Sequence, residues 1–248
     1  MDQLLISAAS GMKARMESLD MLANNVANSA TAGFKSDREF YNLYVSQEAL
    51  DGSADGQRPD PATLPVIEKH WTDFGQGALL PTGNQLDLAI AGKGFFVVDG
   101  PNGPLYTRNG NFRLSKQGRI ITQDEQPVRV LRPDGKPAVL DPTAAVDVDA
   151  KGEIHQNGET VGTLAIVDAE GSRLAKLGST YFKLDDPNPQ PATGGEVHQG
   201  SLESANVPVG EAAVRLVTVM RQFETLQKAL SIGNDMNRAS DDVAKVGS

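Results

Sequence analysis

Cysteine is missing from all 248 residues, which excludes disulfides, thiol nucleophiles and thiolate metal ligands. The absence fits a cytosolic chain and an exported one equally. Aromatic residues supply only 5% of the sequence, so aliphatic side chains must build most of any core. Histidine is scarce: His70, His155 and His198 stand in unrelated contexts, without a second ligand at tight spacing, and no metal site is expected. No Lys/Arg-rich run occurs, and net charge is −9, which argues against nucleic acid or an anionic membrane as partner. No apolar run approaches the ~18–20 residues that cross a bilayer, so no membrane insertion is expected. The longest early run, Leu4 to Ile6, lacks the charged-then-apolar pattern of a cleavable signal. The expectation is that, if the protein leaves the cytoplasm, its route leaves the N-terminus in place.

Catalytic signatures are missing as well. Gly92-Lys93-Gly94-Phe95-Phe96 lacks the later glycine of a dinucleotide loop and reads as a turn into a strand. No serine nucleophile elbow is present. Asp185-Asp186 precedes a proline-rich turn, where adjacent carboxylates are solvated. No cofactor and no enzymatic activity are expected; the alternative is a cell-wall-active enzyme with an acidic site on its β domain.

Periodicity is what the chain does have. Val209, Ala212, Leu216, Val219, Phe223, Leu226 and Leu230 alternate steps of three and four, the seam of a helix that packs lengthwise on another. Pro208 sits at the first turn, Asn206 is the expected N-cap, and Glu211 suits the positive end of the helix dipole. Ala213, Val217 and Met220 widen the apolar face beyond what one partner covers. Near the other terminus, Leu5, Ala8, Met12, Leu19, Leu22 and Val26 repeat the spacing, with Arg15 interrupting. All six methionines lie in these end segments, adaptable side chains for irregular neighbours.

The first helix runs into Asn24, Asn25 and Asn28, then Gly33 and Phe34. Gly33 reads as a positive-φ helix stop, and Phe34 as the anchor of the exit. The asparagines read either as capping groups or as polar residues that fix register between helices. Between the ends stand short β-prone runs: Leu86–Ile90, Phe95–Asp99, Phe112–Leu114, Ile120–Thr122, Val128–Leu131, Val146–Val148, Gly162–Val167, Leu174–Leu177 and Tyr181–Leu184. Turn pairs separate them, among them Asn102-Gly103, Asp134-Gly135, Asn157-Gly158 and Glu170-Gly171.

The fold class expected is α+β, with N- and C-terminal helices paired as a coiled-coil-like domain and a central all-β domain. The boundaries expected are 1–45 for the N-terminal helical segment, 46–69 for a linker or extended loop, 70–201 for the β domain and 202–248 for the C-terminal helix.

Four stretches carry a resemblance: ANNVANSATAGFK, GNQLDLAIAGKGFFVV, YTRNGNFRLSKQGRIIT and GSLESANVPVGEAAVRLVTVMRQFETLQKAL. Together they resemble the flagellar basal-body rod and hook family, and the MDQLLISAASGM opening with the chain length is most similar to its proximal-rod members, distal-rod members next. The resemblance implies a structural subunit of the periplasm-spanning, torque-transmitting rod, exported without signal cleavage by the flagellar type III apparatus and partnered by other rod subunits. The assembly residues it selects are Leu5, Met12, Leu19, Leu22, Asn24, Asn25, Asn28, Phe34, Leu216, Val219, Phe223, Leu226 and Leu230.

Overall fold

A computed structural model describes residues 2–44, 64–169, 174–185 and 189–246, with side chains described for 9–39, 70–169, 174–185 and 189–236. Two helices and a central β-rich region make it an α+β protein. It divides into two compact units. One holds 1–27, 37–71 and 208–248; the other holds 28–36 and 72–207.

In the first unit, helix α1 (Asp2–Ala27) lies along helix α2 (Val209–Val246). Met21, Leu22 and Val219 are buried together, with Leu19 and Leu216 packed against them. Gly11 faces Leu226, where an added Cβ would stand 3.8 Å from the leucine Cδ1, so the helices run antiparallel. On α2 the inward strip is Ala212, Leu216, Val219, Phe223, Leu226 and Leu230, buried or half-buried. The α1 strip differs from the apolar spacing expected. Ser18, Met21, Leu22 and Asn25 are its buried positions among the described side chains, and a count of apolar residues alone passes over the two polar ones.

Residues 37–44, expected in the helical segment 1–45, form strand β1 (Asp37–Tyr44), which pairs with β2 (Leu64–Thr72). Phe40, Tyr41, Leu43 and Tyr44 supply the aromatic and apolar content that favours a strand. β2 likewise occupies the end of the expected 46–69 linker. The Gly/Pro-rich part of that linker, like Glu170-Gly171 and Asp186, lies outside the described residues. Asn206 is not the helix cap: α2 opens with Ala212 N–H donating to Pro208 O at 2.9 Å, and proline, without an N–H, suits a position whose donor would be orphaned.

The second unit is centred on β5 (Phe95–Gly100). Its neighbours are β6 (Gly103–Thr107) and β13 (Ile166–Asp168), and the six-stranded sheet is completed by β15 (Tyr181–Leu184), β14 (Leu174–Leu177) and β16 (Gln190–Pro191). Adjacent strands are antiparallel. Strand alternation sends Phe96 and Val98 to one face, into a core with Leu88, Ile90, Phe112 and Ile154. Phe95 and Val97 go to the other, with Tyr106, Phe182 and Leu184. Phe74, Phe95 and Phe182 meet edge to face at 5.2–5.8 Å. A strand buried on both faces reads as an unbroken apolar run, which is why FFVV was legible.

A four-stranded sheet runs in the order β10 (Asp147–Val148), β11 (Glu153–Gln156), β12 (Glu159–Leu164), β9 (Val130–Leu131). The β11–β12 turn has Asn157 at φ 52° and Gly158 at φ 82°, the doubly positive geometry that Asn-Gly accepts. Short ladders join β7 (Arg113–Leu114) to β8 (Ile120–Ile121), β4 (Leu88–Ala91) to β17 (Glu196–Gln199), and β3 (Leu79–Pro81) to β18 (Ser201–Glu203). The last two ladders bring the end of the β region back onto its beginning.

Candidate assembly site

That return is secured by charge. Glu203, at the end of β18, is fully buried, as is Lys35, and Arg108 is 5% exposed. Lys35 Nζ donates to Glu203 Oε1 at 2.6 Å and to Gly75 O at 2.7 Å. The same carboxylate oxygen accepts Gly77 N–H at 2.9 Å, and Oε2 accepts Arg108 NH1 at 3.3 Å. The Arg108 guanidinium also donates to Ile90 O and Gly92 O and lies 5.1 Å from the Phe95 ring centroid. Burial pushes both Lys35 and Arg108 below their ordinary pKa ranges, and Glu203 opposes the shift in each. One carboxylate, at residue 203, therefore holds two desolvated cations, from residues 35 and 108.

The backbone around this cluster is equally committed. Gly33 N–H donates to Glu203 O at 2.8 Å. Gly33 has φ 68°, and a Cβ there would fall 2.2 Å from Asn109 N. It was expected to stop the helix. Instead α1 ends at Ala27, and Gly33 permits the close approach of two backbones. Phe34 is fully buried, with Lys176 Nζ 4.2 Å from its ring centroid, so it is a core residue of the β unit rather than a surface contact. Asn206 accepts Ser36 N–H at 2.7 Å and donates to Asp73 O and Gly75 O. Its amide ties the entering segment to the departing one.

The asparagines divide. Asn25 donates to Asp37 O at 2.8 Å and accepts Asp37 N–H at 3.0 Å, a two-point bond that fixes the start of β1 on α1. Neither bond is to α2. Asn28 accepts from Thr31 through both its carbonyl and its side chain, in the turn after α1. Asn24 is exposed. Leu5 lies in α1, outside the residues whose side chains are described, and Met12 is half-buried.

The α2 face turned from this packing stays apolar and open. Val209, Val214, Val217 and Met220 are 47–69% exposed, and Ile232 and Met236 at least 60%. Beside it runs a groove of about 510 Å³ lined by Arg15, Val217, Thr218, Arg221, Gln222, Thr225 and Leu226.

Sequence reasoning did not single out Lys35, Arg108 or Glu203. The available signal was a charged residue inside an otherwise small or apolar stretch: AGFK, YTRNG, SLES. The expectation that no histidine has a second ligand group close by fails at His155: the ligand atoms of Asp149, Glu153 and His155 lie within 4.8 Å of one another. Asp149 there accepts the Lys151 and Glu153 amides, which organises the β10–β11 turn, and His155 Nδ1 meets Thr160 across the β11–β12 ladder.

Comparison with known proteins gives three family matches. Residues 5–35 match the model described as flagella basal body rod protein. Residues 89–160 match the flagellar hook protein FlgE/F/G D1 domain, and 198–243 the C-terminal model of flagellar basal body rod FlgEFG proteins. Lys35, Arg108 and Glu203 fall one in each. The class so defined is the axial structural proteins of the flagellar hook and rod. Among relatives, FlgF of Caulobacter vibrioides is 31% identical over 97% of this chain and 97% of its own. FlgF of Rhizobium meliloti is 30% identical over 90% and 89%, and FlgG of Bacillus subtilis 30% over 94% and 95%. The chain belongs to the flagellar basal-body rod protein family, structural subunits of the rod and not enzymes.

Proposed function

We propose that this subunit builds the rod through its terminal helices, α1 and α2 pairing as a coiled coil whose outer face packs on the helices of neighbouring subunits. The observation that carries the reading is the open apolar face of α2: Val214, Val217 and Met220 stay 47–69% exposed in the single chain, wider than one partner helix needs. The adjoining groove suits a ridge of a neighbour's side chains. Lengthwise helices give continuous seams along an axis and resist shear under torque, while the β unit adds lateral contacts. The division of labour assigns axial assembly to the unit of residues 1–27, 37–71 and 208–248 and lateral contacts to the unit of 28–36 and 72–207, in place of the expected 1–45, 202–248 and 70–201. Leu5, Met12, Phe223 and Leu226 belong to the axial seam.

The same reading places the protein in the periplasmic part of the axle, delivered by the flagellar type III apparatus without signal cleavage. Proximal placement is supported by length: the alignment with the Caulobacter FlgF spans 245 residues, and that with the Bacillus FlgG spans 262. Val217→Asp with Met220→Asp is the test. Both side chains are exposed in the lone subunit, so the variant keeps its fold, and rod incorporation and swimming are lost. Normal motility with the variant incorporated would refute the reading.

A further inference from the structure

Charge on the β unit is segregated. Residues 113–136 carry Arg113, Lys116, Arg119, Arg129, Arg132 and Lys136 against three carboxylates, a local +3 in a chain of net −9. Arg113, Lys116 and Arg119 line one cleft of about 730 Å³, whose floor includes Leu114, Ile121 and Pro127. Arg119 and Pro127 also line the neighbouring 200 Å³ hollow, with Arg129 and Leu131. Arg113 is shared with exposed Glu125, and Arg129 with Asp99. Lys116, Arg119 and Arg132 have no carboxylate partner among the described residues. Two exposed apolar residues lie among these cations, Leu131 at 39% and Val139 at 59%, the latter against Gly118. An exposed apolar centre with a charged rim is the composition of a docking surface.

The complementary charge lies on the segment that follows in the chain. Residues 141–159 hold Asp141, Asp147, Asp149, Glu153 and Glu159 against one lysine, and Thr143 holds the Asp141 carboxyl below its ordinary pKa by hydrogen bonding. The acidic segment runs through β10 and β11 to the first residue of β12, and the basic segment runs from the β7–β8 ladder, beside which Arg119 stands, to β9, which pairs with β12. Asp147, on the edge strand β10, lies three strand spacings, roughly 14 Å, from the opposite edge strand β9. Unlike patches at different places on one body produce a heterologous, head-to-tail contact that repeats.

We propose that the basic cleft around Arg119 and Arg132 docks the acidic segment between Asp147 and Glu159 of a second copy of this chain. The inference deepens the rod-subunit reading and rests on it. Opposite charge at this contact sets orientation and partner choice and screens with salt.

The test uses four side chains that make no hydrogen bond or ion pair in the described structure. Sedimentation equilibrium on the full-length chain compares wild type, Arg119→Glu with Arg132→Glu, and Asp147→Lys with Glu159→Lys, at about 0.05 M and about 0.5 M salt. At low salt each reversal weakens self-association about tenfold, and mixing the two variants restores it, because each retains the half that the other lost. Near-ultraviolet circular dichroism checks that both remain folded. Association untouched by either reversal overturns the inference, and so does loss in both without recovery on mixing. A chain that passes yet joins no rod retires the rod reading alone; rods that form with neither reversal mattering retire this contact alone.

Discussion

The helical unit and the β unit solve the burial problem in opposite ways. The β unit closes on itself. β5 is covered on both faces, its last strands pair with early ones, and its buried charges meet within a few ångströms. The helical unit covers one strip, Met21, Leu22 and Val219, and leaves several valines and methionines of α2 in solvent. One region is thus closed within the single chain, and the other leaves apolar surface that, on the proposed reading, neighbouring subunits cover. Stability and assembly therefore reside in different residues, and single substitutions separate them.

The largest expected effect is on assembly. Phe223→Asp or Leu226→Asp puts an unpaired charge into the α1–α2 seam, and rod incorporation, read by electron microscopy of basal bodies, is abolished. The β unit keeps its urea midpoint within error. Next is Glu203→Ala, which leaves Lys35 and Arg108 buried without their anion and costs about 3–5 kcal/mol of β-unit stability by urea denaturation. Gly33→Ala follows, at about 1–3 kcal/mol by the same measurement, because a Cβ meets the Asn109 backbone at a positive φ. Asn25→Ala strips both bonds from Asp37 and lowers stability of the helical unit by about 1–2 kcal/mol in a thermal melt.

The smallest effect is a titration. Burial first, and the Asp124 carboxylate beside it, push the Tyr181 phenol up to about 12. The folded state therefore holds this proton more tightly than the unfolded chain, and the associated stability fades as pH rises from about 10 to about 12. Ultraviolet absorbance should show one late-titrating tyrosine that Tyr181→Phe removes.

How much of this could be read in advance depended on the signal. The α2 seam was legible because its apolar spacing holds from Ala212 to Leu230; Val209, expected to open the seam, is instead exposed. β5 was legible because a strand buried on both faces has no polar alternation to disguise it. The α1 strip was read imperfectly, since Ser18 and Asn25 are buried there through hydrogen bonds that hydropathy does not register. β1 was hidden because eight residues of strand follow a helix by only nine residues, and the segment was counted within the helical 1–45. The buried charges were least legible. Lys35, Arg108 and Glu203 stand 73 and 95 positions apart, and only the fold brings them together; local propensity carries no trace of such pairing. Gly33 shows the same limit. Its special φ was expected, but the cause is a distant backbone, not the nearby helix end.

Hydrogen exchange on the free, full-length subunit tests most directly whether its two regions differ in self-sufficiency. The amides of β5 and β6 should open only with global unfolding, while those of α2 beyond Val219 exchange at least about a hundredfold faster and become protected once subunits assemble. Equal protection of α2 and β5 in the isolated chain would contradict the account.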